Sequence, residues 1–174
     1  PDRPKKLNIS EDPEYAMPED NSNRLAILIL GMRGEDDSEN GGLLTDSMLL
    51  LSIEKATNRA ALTSIPRDLT LRVTDTKTEK LNTAYIHNGL DGTRRLFSRI
   101  TGIKIDHIAV VDFSAFKYIV DTLGGVTITL DKPFTETKQW GYEFSLPAGR
   151  NTLDGDQALY YVRSRYGSSD FDRS

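Results

Sequence analysis

Two short apolar runs near the start of the chain place the strongest limit on its fold. Residues 24–30 form one run, which ends at Gly31, and residues 46–53 form the other. Each has the length and composition of a buried strand. The second run is apolar on both faces of a pleat, so it needs cover on both sides of a sheet. We therefore predict that residues 46–53 form a central strand.

The rest of the chain alternates between strand patterns and helix patterns. Further strands are predicted over residues 59–65, 69–73, 107–112 and 126–130, with an aromatic hairpin within 133–152. Helices are predicted over residues 81–89, 91–101, 114–123 and 154–161. Glycines end two of these helices, at Gly102 and at Gly124, and Asp154 is a candidate N-cap. The alternation predicts an α/β fold, namely an α-β-α sandwich with a central mixed β-sheet flanked by helices.

Composition limits the domain organisation and the class of protein. Residues 1–23 are rich in polar residues and proline, and we interpret them as a flexible linker or arm before a single domain over residues 24–174. The net charge of −4 argues against a general nucleic-acid-binding protein. The sequence has no apolar stretch of membrane-spanning length, and it starts at Pro1 rather than at Met. We expect an excised piece of a longer protein, with a membrane anchor removed upstream.

Charged residues at predicted strand ends form the first candidate site. Asp46 begins the central strand, and Arg67 and Asp68 follow a strand that Pro66 ends. Ligands of α/β sheets bind at strand ends, so these side chains meet at one rim if the two strands are neighbours. Arginine suits phosphate oxygens, and aspartate suits a hard divalent ion such as Mg²⁺. The alternative is a surface ion pair, which would contribute little to stability.

Arg163 and Arg165 form the second candidate site. Residues two apart do not share a face of a helix, whereas they do share a face of an extended segment. We interpret this segment as a helix that unwinds near Arg163 and leaves two guanidinium groups side by side, where they suit a diphosphate. A solvated basic helix end is an equally compatible interpretation. The segment Lys80-Leu-Asn82 leads into the helix predicted near residues 81–89. Asn82 is a candidate cap of that helix, and we interpret Lys80 as a surface lysine.

These motifs, in this order and spacing, resemble the LytR-CpsA-Psr family from about Arg24 to Arg173. The first half carries Leu-Gly at 30–31, Thr-Asp-Ser-Met at 45–48, Ser-Ile-Pro-Arg-Asp at 64–68 and Lys-Leu-Asn-Thr-Ala-Tyr at 80–85. The second half carries Val-Asp-Phe-Ser-Ala-Phe at 111–116, Val-Asp-Thr-Leu-Gly-Gly-Val at 120–126, Leu-Asp-Gly-Asp-Gln-Ala-Leu at 153–159, Tyr-Val-Arg-Ser-Arg at 161–165 and Asp-Phe-Asp-Arg at 170–173. Each motif is weak alone, and together they are specific.

The resemblance implies a membrane-anchored enzyme outside the cytoplasmic membrane. Such enzymes move a glycopolymer from a polyprenyl-pyrophosphate carrier onto the cell wall, often peptidoglycan, and many also hydrolyse pyrophosphate. The implied cofactor is Mg²⁺, with Asp46 and Asp68 near the metal. The resemblance places five basic side chains on the pyrophosphate: Arg67, Lys80, Arg163, Arg165 and Arg173.

The sequence departs from the family pattern in two places. Members often carry an Asp and an Arg soon after the first Leu-Gly and an Arg before Thr-Asp, and here Arg33 or the acids at 35–37 would substitute for them. The family motif also continues beyond Asp-Phe-Asp-Arg to an Arg-Gln pair, whereas this chain ends at Ser174. We therefore expect this piece to bind substrate and to turn over poorly.

The carrier lipid needs an apolar slot, which we expect between helix and sheet. The helices near 91–101 and 114–123 offer five side chains for its lining: Leu96, Phe97, Ile100, Phe116 and Ile119. Apolar helix faces more often form the core, and that alternative stays open. Two rival functions also stay open, a non-catalytic module that binds anionic polymer or lipid carrier and a plain pyrophosphatase or phosphodiesterase. Under the transferase hypothesis, Asp46 orients or deprotonates the attacking sugar hydroxyl.

Overall fold

The computed structural model describes residues 17–34, 41–138 and 141–164. The strands in these ranges are β1 (Arg24–Gly31), β2 (Ser47–Glu54), β3 (Arg59–Ser64), β4 (Thr70–Arg72), β5 (Thr78–Lys80), β6 (His107–Val111), β7 (Val126–Leu130), β8 (Phe134–Glu136), β9 (Phe144–Leu146) and β10 (Gly149–Leu153). The helices are α1 (Ala84–Thr101), α2 (Phe113–Thr122) and α3 (Gly155–Arg163). The chain divides into two compact units, Pro1–Asp112 and Phe113–Ser174.

The first unit is built on a four-stranded sheet in the order β3-β2-β1-β6. β1 pairs antiparallel with β2 and parallel with β6, and β2 pairs antiparallel with β3, which confirms the predicted mixed sheet. β2 is an internal strand, as the sequence predicts, although only the face of Met48 and Leu50 is fully buried. The outer strand β3 is exposed along its whole length. The core of this unit therefore lies on one face of the sheet.

Helix α1 covers that core face and bends at a glycine. A 3₁₀ turn at Leu81–Thr83 leads into the helix, which is interrupted at Gly89, where φ is 61° and ψ is −168°. The break separates the two helical segments predicted over 81–89 and 91–101. Gly102 ends the helix with φ at 67°, a left-handed conformation that glycine adopts without strain. Neither α1 nor any other helix in the described ranges combines the length and apolar character needed to cross a membrane.

The predicted cap at Asn82 is wrong. Asn82 lies inside the 3₁₀ turn, and the residue that precedes α1 is Thr83, whose side chain makes no capping hydrogen bond. The extra turn moves the start of the α-helix beyond Asn82. The side chain of Asn82 is buried instead.

The second unit joins α2 and α3 to two pairs of strands. β7 pairs antiparallel with β10, and β8 pairs antiparallel with β9 as the predicted aromatic hairpin. The sequence analysis missed β10 as a strand, because residues 149–153 lack an alternating apolar pattern. Asp154 caps α3 as predicted, since its side chain accepts from the backbone N–H of Gln157 and the Gln157 side chain accepts from the backbone N–H of Asp154.

Gly155 fixes the start of α3 against α2. A Cβ atom at this position would lie 2.5 Å from the carbonyl oxygen of Lys117, so no side chain fits. The backbone N–H of Gly155 also donates to Asp121 Oδ1 at 2.7 Å. The two helices therefore pack backbone to backbone at this point. The position of the C-terminal end of α3 then depends on the length of the helix.

We expect Leu28→Ala to lower the free energy of unfolding by about 2–5 kcal/mol, because it leaves a cavity in a fully buried part of the first core. Leu62→Ala removes the same atoms from β3, where the side chain is 61% exposed, and should change that free energy by only about 0.5 kcal/mol. Urea denaturation followed by circular dichroism measures both variants. Equal losses would contradict the face of the sheet assigned to the core.

Candidate active site

The register of β2 and β3 brings Asp46 and Arg67 together. Leu49 pairs with Ser64, and the backbone N–H of Ile65 donates to the carbonyl of Met48, which continues the ladder past the strand end. Continued further in the same antiparallel register, the position opposite Asp46 is Arg67. Arg67 Nη1 accordingly donates to Asp46 Oδ1 at 2.7 Å. The predicted meeting of these two residues at one rim of the sheet is confirmed.

Two more side chains extend this contact into a row of four. Arg67 Nε lies 3.5 Å from Asp68 Oδ2, and Lys80 Nζ donates to Asp68 Oδ1 at 2.6 Å. Lys80 reaches this place because it ends β5, where it pairs with Thr70, two residues after Asp68. We call Asp46, Arg67, Asp68 and Lys80 the rim cluster. Its two acids and two bases balance in charge, and its side chains are between 36% and 60% exposed.

The carboxylate of Asp68 is held in its charged form by its neighbours. The hydrogen bond and the charge of Lys80, and then the charge of Arg67, lower the pKa of Asp68 from its ordinary value of 3.8. These neighbours therefore favour the ionised form of the Asp68 carboxylate. Because the Asp68 side chain is 60% exposed, this shift describes its charge state and not a large contribution to folding.

Backbone hydrogen bonds to Asn82 hold the rim cluster in place. The carbonyl of Asn82 accepts from the backbone N–H of Thr45 at 3.1 Å and from its hydroxyl at 3.2 Å. The backbone N–H of Asn82 donates to the carbonyl of Arg67 at 3.2 Å. One buried residue thus ties together the segments that carry Asp46, Arg67 and Lys80. The sequence analysis missed this role because it depends on the main chain, which every residue has.

Arg33 and Asp112 lie at the same end of the sheet as the rim cluster. Gly31 pairs with Ser47 on one side and with Val111 on the other, so the residues that follow β1 and β6 emerge beside the start of β2. Arg33 is half-buried there, as is Asp112, a residue to which the sequence analysis assigned no role. A Cβ atom on Gly34 would lie 3.7 Å from Asp112 Oδ2. The other suggested substitutes, at 35–37, lie outside the described residues.

The two acids of the rim cluster fit a magnesium ion that shares its ligands with a substrate. Among the described residues, no three acids or histidines come close enough together to hold a metal by themselves. Mg²⁺ is usually bound by one or two carboxylates together with phosphate oxygens and water. Asp46 and Asp68 stand on either side of Arg67 and match that pattern. The donor set is therefore suited to Mg²⁺ only when a phosphate completes it.

The end of α3 positions the first residue of the arginine pair. The guanidinium carbon of Arg163 lies 4.1 Å from the centroid of the Phe113 ring, a cation–π contact. Ser164 has φ at −60° and ψ at 134°, so the helix ends directly after Arg163 in an extended residue, as predicted. Arg165 and Arg173 lie outside the described residues. That the two guanidinium groups stand side by side stays a prediction.

The side chains proposed to line a lipid slot are divided between the two units. Leu96 and Phe97 are buried in the core of the first unit, and Phe116 packs against the core of the second. Ile100 and Ile119 are exposed on their helices. Ordinary core packing explains the first three, and the role of all five in binding lipid stays a prediction.

A separate cavity lies at the opposite end of the first sheet. It has a volume of about 350 Å³, and its lining includes Arg24, Glu54 and Arg59. These three residues are cross-strand neighbours at the start of β1 and β3, whereas the rim cluster follows the end of β3. The cavity is therefore not part of the rim cluster, which lies on an open surface.

Comparisons with known proteins agree with this geometry. The model of the LytR-CpsA-Psr (LytR_cpsA_psr) family matches residues 2–174. The chain is 30% identical over 160 residues to a polyisoprenyl-teichoic acid–peptidoglycan teichoic acid transferase, TagU of Bacillus licheniformis, covering 91% of this chain and 50% of that protein. It is likewise 30% identical over 152 residues to TagT of Bacillus subtilis, covering 83% of this chain and 47% of that protein.

A solved structure extends the comparison to the fold. The LytR-CPS2A-psr family protein TagT with bound octaprenyl pyrophosphate lipid superposes with a TM-score of 0.71 at 26% identity, covering 87% of this chain and 62% of that one. The chain spans about half the length of the curated relatives it matches. The matched residues include both candidate sites and the predicted mixed sheet with flanking helices. The chain therefore belongs to the LytR-CpsA-Psr family.

Proposed function

We propose that this chain is the catalytic part of a phosphotransferase that moves a glycopolymer from a polyprenyl-pyrophosphate carrier onto cell-wall peptidoglycan. The observation that carries the proposal is the rim cluster, in which Arg67 and Lys80 stand in contact with two acids at an open strand end. The names of the related transferases and the lipid bound to TagT support it. A lipid-linked substrate would place the activity at the outer face of the cytoplasmic membrane.

Charge balance explains how the rim cluster would recognise a diphosphate. Without a ligand, its two bases are neutralised by its own two acids. A diphosphate that takes over Arg67 and Lys80 leaves Asp46 and Asp68 without their counter-charges, next to a further anion. A divalent cation offsets that repulsion, because it binds carboxylate and phosphate oxygens together. We therefore infer that diphosphate and Mg²⁺ bind cooperatively and that neither binds well alone.

The same groups account for the proposed reaction. A sugar hydroxyl of the acceptor attacks the phosphorus that bears the glycopolymer, forming a new P–O bond as the bridging P–O bond to the carrier breaks. Polyprenyl phosphate leaves with the bonding electrons, and Asp46 takes the proton of the hydroxyl. Arg67 and Lys80 stabilise the charge that develops on the phosphate oxygens. Bound Mg²⁺ would add Lewis-acid stabilisation of that charge.

One observation favours a second function, a non-catalytic module that binds lipid carrier or anionic polymer. Both acids of the rim cluster are ion-paired, and no third acid joins them among the described residues. A binding module would need the two bases and would tolerate loss of both acids. A pyrophosphatase would use the same groups with water in place of the sugar hydroxyl. Release of polyprenyl phosphate with and without a peptidoglycan acceptor distinguishes the three functions.

We expect Arg67→Ala to weaken binding of geranyl pyrophosphate at least about tenfold, because it removes charge-assisted hydrogen bonds to phosphate. Arg67→Lys keeps the charge but loses the planar fork, and should give an intermediate affinity. Isothermal titration calorimetry measures both. Arg59→Ala is the matched control, since Arg59 lies at the opposite end of β3 beside the separate cavity. Loss of binding only in Arg59→Ala would move the anion site to that cavity.

Asp68→Asn tests the proposed metal. We expect it to abolish the increase in geranyl pyrophosphate affinity that Mg²⁺ produces, because a neutral amide provides no counter-charge for the ion. EDTA should bring the wild-type affinity down to that of the variant. Asp75→Asn, in the exposed turn between β4 and β5, is the control and should behave as wild type. A wild-type affinity for geranyl pyrophosphate that changes with neither Mg²⁺ nor EDTA would exclude the metal from the site.

The lowered pKa of Asp68 sets the expected pH dependence. A depressed pKa keeps the carboxylate charged as the pH falls, until the pH drops below the ordinary value of 3.8. The ratio of wild-type to Asp68→Asn affinity in Mg²⁺ should therefore stay constant from about pH 7 to about pH 5. Taking the ratio removes the titration of the ligand itself. A decline of the ratio across this range would mean that another, more weakly acidic group holds the ion.

A further inference from the structure

Three charged side chains form one row across the first sheet, at the end opposite the rim cluster. Arg24 of β1 pairs with Glu54 of β2, and Glu54 pairs with Arg59 of β3. Residues that lie directly opposite each other on antiparallel strands project to the same face of the sheet. The row therefore carries a positive, a negative and a positive charge in that order. The two arginines are two strand spacings, or about 10 Å, apart at the backbone.

These three charges do not neutralise one another. Neither Arg24 nor Arg59 forms an ion pair or a side-chain hydrogen bond with any residue that the structure describes. The carboxylate of Glu54 accepts instead from the hydroxyl of Thr57 at 2.5 Å. In the rim cluster, by contrast, each base contacts an acid. The charged row is thus open to a ligand of complementary charge.

A hollow beside the charged row offers space for that ligand. The next cross-strand positions on the same face hold three small side chains, Ala26, Ser52 and Ala61. Two of these, Ser52 and Ala61, line the cavity of about 350 Å³ together with the charged row, Asn21 and Asn23. Small side chains next to long charged ones leave a concave surface, which is the usual form of a site for a small ligand.

Hydrogen bonds hold the wall of the cavity in place. Asn23 Oδ1 accepts from the backbone N–H of Ala56 at 2.9 Å, and the carbonyl of Asn23 accepts from the backbone N–H of Lys55 at 2.7 Å. Lys55 Nζ donates to the carbonyl of Ser22 at 2.9 Å. The segment before β1 is thereby tied to the turn between β2 and β3. The cavity is therefore formed before a ligand binds.

The order of the charges determines which ligand fits. Arginine binds a carboxylate through paired hydrogen bonds, so Arg24 and Arg59 suit two carboxylates. A plain dicarboxylate would place its negative charge beside Glu54, and this repulsion selects against it. An amine between the two carboxylates removes the repulsion and pairs with Glu54. The complementary ligand is a peptide-like molecule with an ammonium group between two carboxylates.

We propose that the cavity binds the peptide of the peptidoglycan acceptor. A peptidoglycan peptide that is not cross-linked carries a side-chain amine between two carboxylates, which is the complementary order of charges. The inference rests on the proposed function for the source of this peptide. Asp46 and Glu54 are at opposite ends of β2, about 26 Å apart, a distance over which a polymeric acceptor extends. Binding at the cavity raises the local concentration of acceptor at the rim cluster.

The test compares γ-aminopimelate, which has an amine midway between two carboxylates, with pimelate, which has the carboxylates alone. The wild-type protein should bind γ-aminopimelate about tenfold more tightly. Glu54→Gln keeps the side-chain size and an acceptor for Thr57, and should reduce the ratio of the two affinities to about one. Arg24→Ala and Arg59→Ala should weaken the binding of both ligands at least about fivefold. NMR chemical-shift titration measures each affinity.

A matched control and a competition experiment complete the test. Arg95→Ala should bind both ligands as the wild type does, because Arg95 is an exposed arginine of α1 that does not line the cavity. A soluble disaccharide–peptide fragment of peptidoglycan should compete with γ-aminopimelate. N-acetylation of the amine of that fragment should weaken the competition about tenfold, because it removes the charge that pairs with Glu54.

The outcomes separate this inference from the proposed function. Equal wild-type affinities for γ-aminopimelate and pimelate would make the cavity a general anion site and overturn the inference, as would a peptidoglycan fragment that does not compete. Both results leave the binding of geranyl pyrophosphate at the rim cluster unaffected. A wild-type protein that binds γ-aminopimelate but not geranyl pyrophosphate would overturn the proposed function, and with it the peptidoglycan source of the ligand. A preference that is lost in Glu54→Gln and kept in Arg95→Ala, with competition by the fragment, would establish the site.

Discussion

The antiparallel register of β2 and β3 is the constraint on which the first candidate site depends. Asp46 and Arg67 are 21 residues apart in sequence, and they face each other because the pairing that joins Leu49 to Ser64 continues past both strand ends. A shift of one residue would turn each side chain to the other face of the sheet. The main chain of Asn82 then holds both loops, because its carbonyl accepts from Thr45 and its N–H donates to the carbonyl of Arg67. Sheet pairing and one main-chain anchor thus set the site before any charged group interacts.

The rim cluster contributes little to the stability of the fold. Its side chains are largely exposed, and exposed ion pairs typically contribute less than about 1 kcal/mol each. Four charged side chains nevertheless stand in one row on a rigid frame, in mutual contact and in balance. Holding these side chains in one geometry costs side-chain entropy and returns little stability, so the stability of the fold does not account for the row.

Local rules predicted much of the fold, and they failed where a feature depends on tertiary pairing. Gly102 and Asp154 could be assigned from the sequence because backbone freedom and capping are properties of single residues. The contact between Asp46 and Arg67 could be predicted from the sequence because the ends of neighbouring strands converge. Strand β10 was missed because its pattern is polar and only its partner β7 makes it a strand.

Because Gly155 lies close to the main chain of Lys117, the length of α3 determines where its C-terminal end lies. With its first turn locked against the main chain of α2, the helix can absorb no change in length at that end. A single inserted residue would rotate the far end by about 100° and advance it by about 1.5 Å. It would carry Arg163 away from the Phe113 ring and the Ser164 hydroxyl away from Glu136 Oε2, to which it donates at 2.7 Å. The nine residues from Gly155 to Arg163 cannot lengthen or shorten freely, because both ends of the helix are held at fixed places.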